Sequence, residues 1–367
     1  MSKFLKRVLK GMLVVVCIVL CMLLITVGII GVFRFTYGKK YKINSENGIS
    51  EDIYVEIGGQ RQFMQIRGND KDNPVVLWLH GGPGFPLTYM NYYYQSNLEK
   101  DYTMVSLEQR GCGRTYYENG ETANVSMDIL LSDIDEVVRY LKERFNKDKV
   151  IIMAQSWGTV IGMKYLETHP ENLSAYIGIG QVTRFANGKV YSAKKAAELA
   201  QSQGQEKDAQ RLIALSDKFK EIKNIKDVNI KELEEMIITS SKYLKADGEM
   251  SSFKQMFTAI TSPHKNWNDI KWFLFASSTE NIISTQEELM DYMYFGFDID
   301  DIELPKDVPV YFIQGECDYI TPTDMVKLYY DNIDNVQKDM VIIENTGHTP
   351  FLDKPELFYE AVKSFEK

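Results

Sequence analysis

Cysteine and histidine are scarce in this chain, with four of each in 367 residues. Cys17 and Cys21 lie behind Val16 and Leu20 in an apolar run and read as apolar side chains. Cys112 and Cys317 remain, too few for a disulfide framework. No group of His, Cys, Asp and Glu has metal-ligand spacing, so neither a metal nor any other cofactor is expected. Acid is absent from the first 42 residues, which hold eight of the 42 Lys and Arg. The remainder has 34 basic against 51 acidic residues, a net −17, and such a body repels nucleic acid. Also missing is a Lys-Ser or Lys-Thr after the glycines of His80-Gly81-Gly82-Pro83-Gly84, so these do not complete a phosphate-cradling loop.

Charge is missing altogether from Gly11 to Phe33. A helix needs about 20 apolar residues to cross a bilayer, whereas the apolar part of a cleaved signal is about 7 to 15 residues and ends in a small-x-small site. No such site follows, so the reading is a single uncleaved transmembrane helix through residues 11–33. Orientation is weakly marked, because Lys3, Lys6, Arg7 and Lys10 precede the run and Arg34, Lys39, Lys40 and Lys42 follow it. The compact basic N-terminus favours a cytoplasmic start, with the large C-terminal body outside the membrane.

What is present is an ordinary globular composition, 44% hydrophobic and 25% charged. Ile53 to Ile57 and Arg61 to Ile66 flank Gly58-Gly59-Gln60 as a hairpin. Strands are expected at Val75 to Leu79, Thr103 to Leu107, Val150 to Met153, Ala175 to Ile179, Val308 to Ile313 and Met340 to Ile343. Helical spacing covers Met127 to Phe145, and further helices are expected after Ser156, at Met325 to Tyr330 and at Pro355 to Phe365. From about Gln181 to Ile302 the strand runs vanish and helical patterns take over, including Ala193 to Gln203, Ala209 to Ile222 and Ile230 to Tyr243. The organisation is therefore an α/β body with a mostly parallel sheet covered by helices on both faces. Its segments are 1–45 (anchor and linker), 46–181 and 303–367 (sheet body), and 182–302 (helical cap).

Within the sheet body, Ala154-Gln155-Ser156-Trp157-Gly158 joins a strand to a helix through a small-x-Ser-x-Gly corner. Alone, this is equally a serine capping a helix. As a nucleophile, Ser156 needs a base and an acid to orient that base. Asp318, in Gly315-Glu316-Cys317-Asp318, and His348, in Asn345-Thr346-Gly347-His348, both follow strands, where sites on open α/β sheets gather. Glu316 is the rival acid, and Asp318 has a second reading as the cap of the next helix. His169, before Pro170, and His264, in the insertion, are weaker bases by position. An oxyanion needs two backbone N–H groups. Trp157 and Gly82 are the candidates, Gly82 because a side chain there would block the acyl group.

The combination of His80-Gly81-Gly82-Pro83-Gly84, Gln109-Arg110-Gly111-Cys112-Gly113-Arg114 and Gln155-Ser156-Trp157-Gly158 resembles the proline iminopeptidase branch of the α/β-hydrolase superfamily. The resemblance spans roughly Ile53 to Gln181 and Leu304 to Lys367. It implies an α/β-hydrolase fold, a Ser156, Asp318, His348 triad, an oxyanion hole from Gly82 and Trp157, and an aminopeptidase acting on short peptides. Two positions depart from the usual pattern, with Ala154 in place of Gly and Glu108 in place of Asp. The local cap sequence in which such enzymes keep amine-binding glutamates is not found, and Glu280 is one candidate for that role, against a plain helix-start glutamate. A carboxylic ester or small amide is the alternative substrate, and a non-catalytic surface binding protein the alternative class. Oligomeric state is not legible.

Overall fold

A computed structural model describes residues 3–123 and 125–366, so Lys367, the end of the expected second body segment, lies outside the described residues. The first helix, α1 (Lys3–Lys40), is the one described helix long and apolar enough to cross a membrane. It runs on past Phe33, because Arg34 and the aromatics beyond it find partners on the body. Arg34 Nη2 donates to the Lys265 carbonyl at 2.8 Å, Phe33 meets Phe257 edge-on at 5.1 Å, and Tyr37 meets Tyr92 at 5.5 Å.

The body begins with the hairpin β1 (Ile49–Ile57) and β2 (Gln60–Gly68), which turns on Gly58 and Gly59 at φ 57° and 72°. Two successive positive φ values are what a tight hairpin turn matched to strand twist requires. β3 (Val75–Leu79), the short α2 (Asn91–Tyr94), β4 (Thr103–Glu108) and α3 (Gly113–Glu118) come next. α4 (Met127–Phe145) starts where the Ser126 side chain accepts from Ile129 N, and stops at Asn146 in the left-handed region. β5 (Val150–Gln155), α5 (Trp157–Thr168) and β6 (Leu173–Ile179) complete the first part.

Six helices then intervene before the sheet resumes: α6 (Phe185–Ser202), α7 (Glu206–Lys220), α8 (Ile230–Ser241), α9 (Ser252–Ile260), α10 (Trp267–Ala276) and α11 (Thr279–Asp291). The stretch expected from Ala193 is only the later part of α6, whose earlier residues Phe185, Lys189 and Ser192 also turn inward. β7 (Val310–Gly315), α12 (Thr323–Asn332), β8 (Lys338–Ile343), the short α13 (Pro350–Asp353) and α14 (Pro355–Ser364) close the chain.

The eight strands lie in the order β1-β2-β4-β3-β5-β6-β7-β8. β1, β2 and β4 pair antiparallel, and every pairing from β4 through β8 is parallel. Burial on both faces explains the unbroken apolar strands. Along β3, Val75, Leu77 and Leu79 join the core under α4 and α5, while Val76 and Trp78 join a second core with Phe351 and Phe358. All parallel strands therefore deliver their C-terminal ends to one rim, which α6 to α11 approach.

Candidate active site

β5 passes into α5 at Ser156, whose φ of 51° and ψ of −119° strain a residue that has a side chain. Its neighbours show why the corner is built from small residues. A Cβ on Gly158 would stand 2.3 Å from the Leu79 carbonyl oxygen, and one on Gly162 would stand 3.2 Å from the Ala154 Cβ. The bare α-carbon of Gly162 thus leaves the space that the extra methyl of Ala154 occupies. Ser156 N donates to the Ile179 carbonyl at 2.9 Å, tying the corner to the next strand.

The loops after β7 and β8 bring Asp318 and His348 together, with Nδ1 of His348 2.8 Å from Oδ2 of Asp318. Both oxygens of the buried acid are fully used. Oδ1 accepts from Ile320 N at 2.9 Å and Thr321 N at 3.0 Å, and Oδ2 also accepts from the Thr321 hydroxyl at 2.8 Å. The capping reading and the His-orienting reading of Asp318 thus hold at once. Burial pushes its carboxyl up, but the His348 and Thr321 bonds outweigh this and hold it below the usual carboxylate range. Glu316 points elsewhere, accepting from Asn345 N at 2.8 Å and so bracing the His348 loop. His169 stacks on Tyr165, and burial near the α1 junction pushes His264 down to about 4.

With Nδ1 committed to Asp318, the Nε2 lone pair of His348 is free to accept, and it lies 3.3 Å from Gln155 Nε2. Gln155 immediately precedes Ser156, and the described hydrogen bonds of His348 include none to the Ser156 hydroxyl. Gly180, at φ 56°, was not singled out in the sequence, yet a Cβ there would stand 2.9 Å from His348 Cε1. The imidazole can occupy its place because this residue is glycine.

The glycine turn after β3 lies against the same corner. A Cβ on Gly81 would be 2.2 Å from Gln155 Oε1 and 3.3 Å from Ser156 Cβ, and one on Gly82, at φ 130°, would be 2.4 Å from Gly84 N. Trp157 opens α5, so its amide has no partner four residues back. Its indole donates to Gln109 Oε1 at 3.2 Å. His80 has a structural place here: Nδ1 bonds the Gly81 carbonyl at 2.8 Å and Nε2 accepts from Gln109 N at 3.3 Å. Burial pushes this imidazole down to about 4, so it is neutral.

The Gln109 to Arg114 segment fastens the helical insertion to the sheet. Arg114 forms a two-pronged pair with Asp269 of α10, at 2.8 and 2.9 Å, and reaches the His264 carbonyl at 2.8 Å. Gln286 of α11 donates to the Gly111 carbonyl at 2.7 Å, and the Trp272 indole donates to the Gly84 carbonyl at 2.8 Å. Glu108 takes the Arg114 amide at 2.5 Å and the Thr88 hydroxyl. Burial raises its carboxyl, to about 7, against the pull of Arg114. Asp269, Gln286 and Thr321 escaped the sequence reading because their partners are more than 100 residues away or their role is shared by many solvated side chains.

A cavity of about 420 Å³ opens beside His348, bordered also by Lys189, Glu249, Cys317, Tyr319 and Asp353. Gln255 of α9 borders both this cavity and an apolar one of about 260 Å³ lined by Phe85, Leu87, Trp272 and Phe273. Glu280 is exposed in the first turn of α11 and lines neither, in keeping with a helix-start glutamate. Cys112 is buried, Cys317 is half-buried, and all four cysteines are free. Among the described residues no group of three or more His, Cys, Asp or Glu could hold a metal ion.

The model of the alpha/beta hydrolase fold family matches residues 74–355. The chain belongs to that family. It is a hydrolase, and its relatives carry the names of the branch its motifs resemble. A probable aminopeptidase, YbaC, of Bacillus subtilis (strain 168) is 27% identical over 308 residues, covering 83% of this chain and 92% of that protein. The proline iminopeptidase of Neisseria gonorrhoeae is 26% identical over 125 residues, 34% of this chain and 38% of that one. Among solved structures, a proline iminopeptidase-related protein of Thermus thermophilus superposes with a TM-score of 0.55 at 19% identity, covering 86% of this chain and 96% of that one. At that identity the likeness concerns the fold.

Proposed function

We propose that this hydrolase is a membrane-anchored serine aminopeptidase that releases the N-terminal residue from short peptides through an acyl-enzyme. Ser156 Oγ attacks the first peptide carbonyl and gives its proton to His348 Nε2. Asp318 holds the imidazolium, and His348 passes the proton to the leaving amine. The amides of Gly82 and Trp157 bind the oxyanion. Water, deprotonated by His348 in turn, then frees the acyl group and restores the serine. The observation that carries the reading is the 2.8 Å bond from His348 to a fully bonded Asp318, with the same imidazole beside the strained Ser156 corner. Catalysis requires His348 Nε2 to exchange the Gln155 amide for the serine hydroxyl, a side-chain rotation that substrate can drive, since catalytic bonds often tighten only in the complex.

For the substrate amine, Glu249 is the carboxylate this reading favours over Glu280, because it borders the His348 cavity. The division into anchor (1–45), body (46–181 and 303–367) and cap (182–302) follows, with specificity in the cap. Anchoring is supported by α1 and by the apolar side chains exposed near its docking point, among them Phe253 and Trp267. The basic N-terminus favours a body outside the cytoplasm. Protease added to intact cells should digest the body, and protection would reverse the orientation.

The apolar cavity lined by Phe85 and Trp272 favours a second reading, a carboxylic ester with an apolar acyl chain. Proline and alanine anilides compared with short-chain nitrophenyl esters, on the full chain in detergent, separate the two. Ester turnover without anilide turnover removes the peptidase reading. A fluorophosphonate probe that labels the protein, and fails to label Ser156→Ala, tests the nucleophile and excludes a non-catalytic binding protein.

A further inference from the structure

The first cap helix carries a cation that its surroundings do not neutralise. Lys189, in α6, is 8% exposed and borders the cavity beside His348. Among the described residues its ammonium forms no ion pair and no hydrogen bond; its recorded partner is the Phe185 ring, 4.4 Å from Nζ to the centroid. A cation over an aromatic ring recovers only a small part of what removing an ammonium from water costs. The deficit is therefore not made good within the protein. Burial pushes the Lys189 ammonium down to about 8, so it still carries its charge at neutral pH, and Asp318, the one carboxylate that raises it, is already saturated by Ile320, Thr321 and His348. Glu249 and Asp353 border the same cavity without such an influence.

The position is fixed. A Cβ on Gly188 would stand 3.0 Å from Pro322 Cδ, and the Ser192 hydroxyl donates to the Tyr319 carbonyl at 2.6 Å. α6 is thus pinned on both sides of Lys189 to the loop that carries Asp318. An ammonium held at this place, on a cavity of small-ligand size, calls for an anion supplied by the substrate.

We propose that Lys189 binds a carboxylate on the leaving-group side of the substrate, so that the preferred peptides are short ones whose free C-terminus reaches it. This deepens the aminopeptidase reading and rests on it. His348 delivers a proton to the leaving amine, and with the substrate amine at Glu249 the opposite, released end of a dipeptide in the same cavity is the part that meets the ammonium.

The test compares dipeptides with a free C-terminal carboxylate against their C-terminal amides, using the full chain in detergent. A hydrogen bond between charged groups predicts a kcat/KM about 10- to 100-fold higher for the acid, carried mainly by KM. In Lys189→Met the preference should collapse toward unity, and in Lys189→Arg it should largely persist. Equal turnover of acid and amide by the unsubstituted enzyme overturns the proposal and leaves the aminopeptidase reading standing, and this arm needs no variant to fold. If neither dipeptides nor anilides are cleaved, the aminopeptidase reading fails by itself. The acetate esters of 4-hydroxybenzoate and of 4-hydroxybenzamide, which carry or lack the charge on the leaving alcohol, then pose the same question, and equal rates for that pair overturn the role of Lys189.

Discussion

The sheet rim and the helical cap face each other across one cavity, but they are held by different means. On the rim the groups that orient the catalytic candidates are committed: Asp318 takes four bonds, Glu316 braces the His348 loop, and His80 is locked between Gly81 and Gln109. The cap is joined to the body by a shared apolar core and by polar ties such as Arg114 to Asp269, Gln286 to Gly111 and Trp272 to Gly84, and it keeps an unneutralised Lys189 inside and large apolar side chains outside. A saturated network fixes one geometry, as bond making and breaking at a single atom demands. An incompletely satisfied one leaves work for a ligand. On the proposed reading, reaction type resides in the rim, and substrate choice in the cap.

The largest expected effect strikes the rim alone. Ser156→Ala should lower turnover by about 10⁴-fold or more while leaving the melting temperature and circular dichroism nearly unchanged. A variant retaining a tenth of the activity would mean that the reaction is not centred on this corner. Next comes the main tie between the regions. Arg114→Met strands Asp269 as a buried, unpaired carboxylate, and breaking such a pair costs about 3 to 5 kcal/mol. Limited proteolysis should then cut within 182–302 well before the sheet body is attacked. Simultaneous digestion of both would show that they unfold as one unit, and the contrast between them would lose its physical basis.

The two regions were also unequally legible in the sequence. The strands and most rim residues could be found because they rest on local patterns: buried strands read as apolar runs, the corner needs small residues at 154 and 158, and the Gly82 turn at φ 130° reads as glycine. Boundaries moved where pairing overrode hydropathy, as when β7 started at Val310 instead of Val308 and ended on Gly315. The cap was legible only as helical. Asp269 and Gln286 look like any solvated helix residue until the fold brings them to Arg114 and Gly111, and Lys189 sits among other lysines in a sequence where burial leaves no mark. Glu280 was legible as a glutamate at a helix start, while Glu249, which does border the cavity, sits in a turn with no pattern at all.

A smaller effect reads the rim by pH. The unfolded chain gains a proton on His80 near pH 6.5, whereas in the folded rim burial delays this to about 4. The folded-state value is depressed, so this contribution is full above about 6.5 and is lost as pH falls toward 4, by about 3 kcal/mol at most. Urea midpoints at pH 7 and pH 4.5 should therefore fall further for the wild type than for His80→Gln. Equal losses would mean that the imidazole is not held neutral.

The smallest effect concerns the outward face of the cap, and it decides what that face is for. Phe253 and Met256 on α9, and Trp267, Phe273 and Leu274 on α10, are exposed, an arrangement costly in water and natural at a bilayer surface. On the anchored reading proposed above, their depth is set by α1, since Phe33 touches Phe257 and Arg34 bonds Lys265, two residues before Trp267. Arg34 is the first charge after the apolar run, so Trp267 should lie at headgroup level, where indoles concentrate. In liposomes containing brominated lipid, part of the tryptophan emission should be quenched, and Trp267→Phe should remove that part while anilide turnover changes by less than about twofold. α9 has Gln255 on both cavities and Phe253 on this surface, so a quenched Trp267 would make the cap a lid resting on lipid, open to substrates that arrive along the membrane. An unquenched Trp267 would leave the patch facing water and confine the cap to sorting soluble peptides.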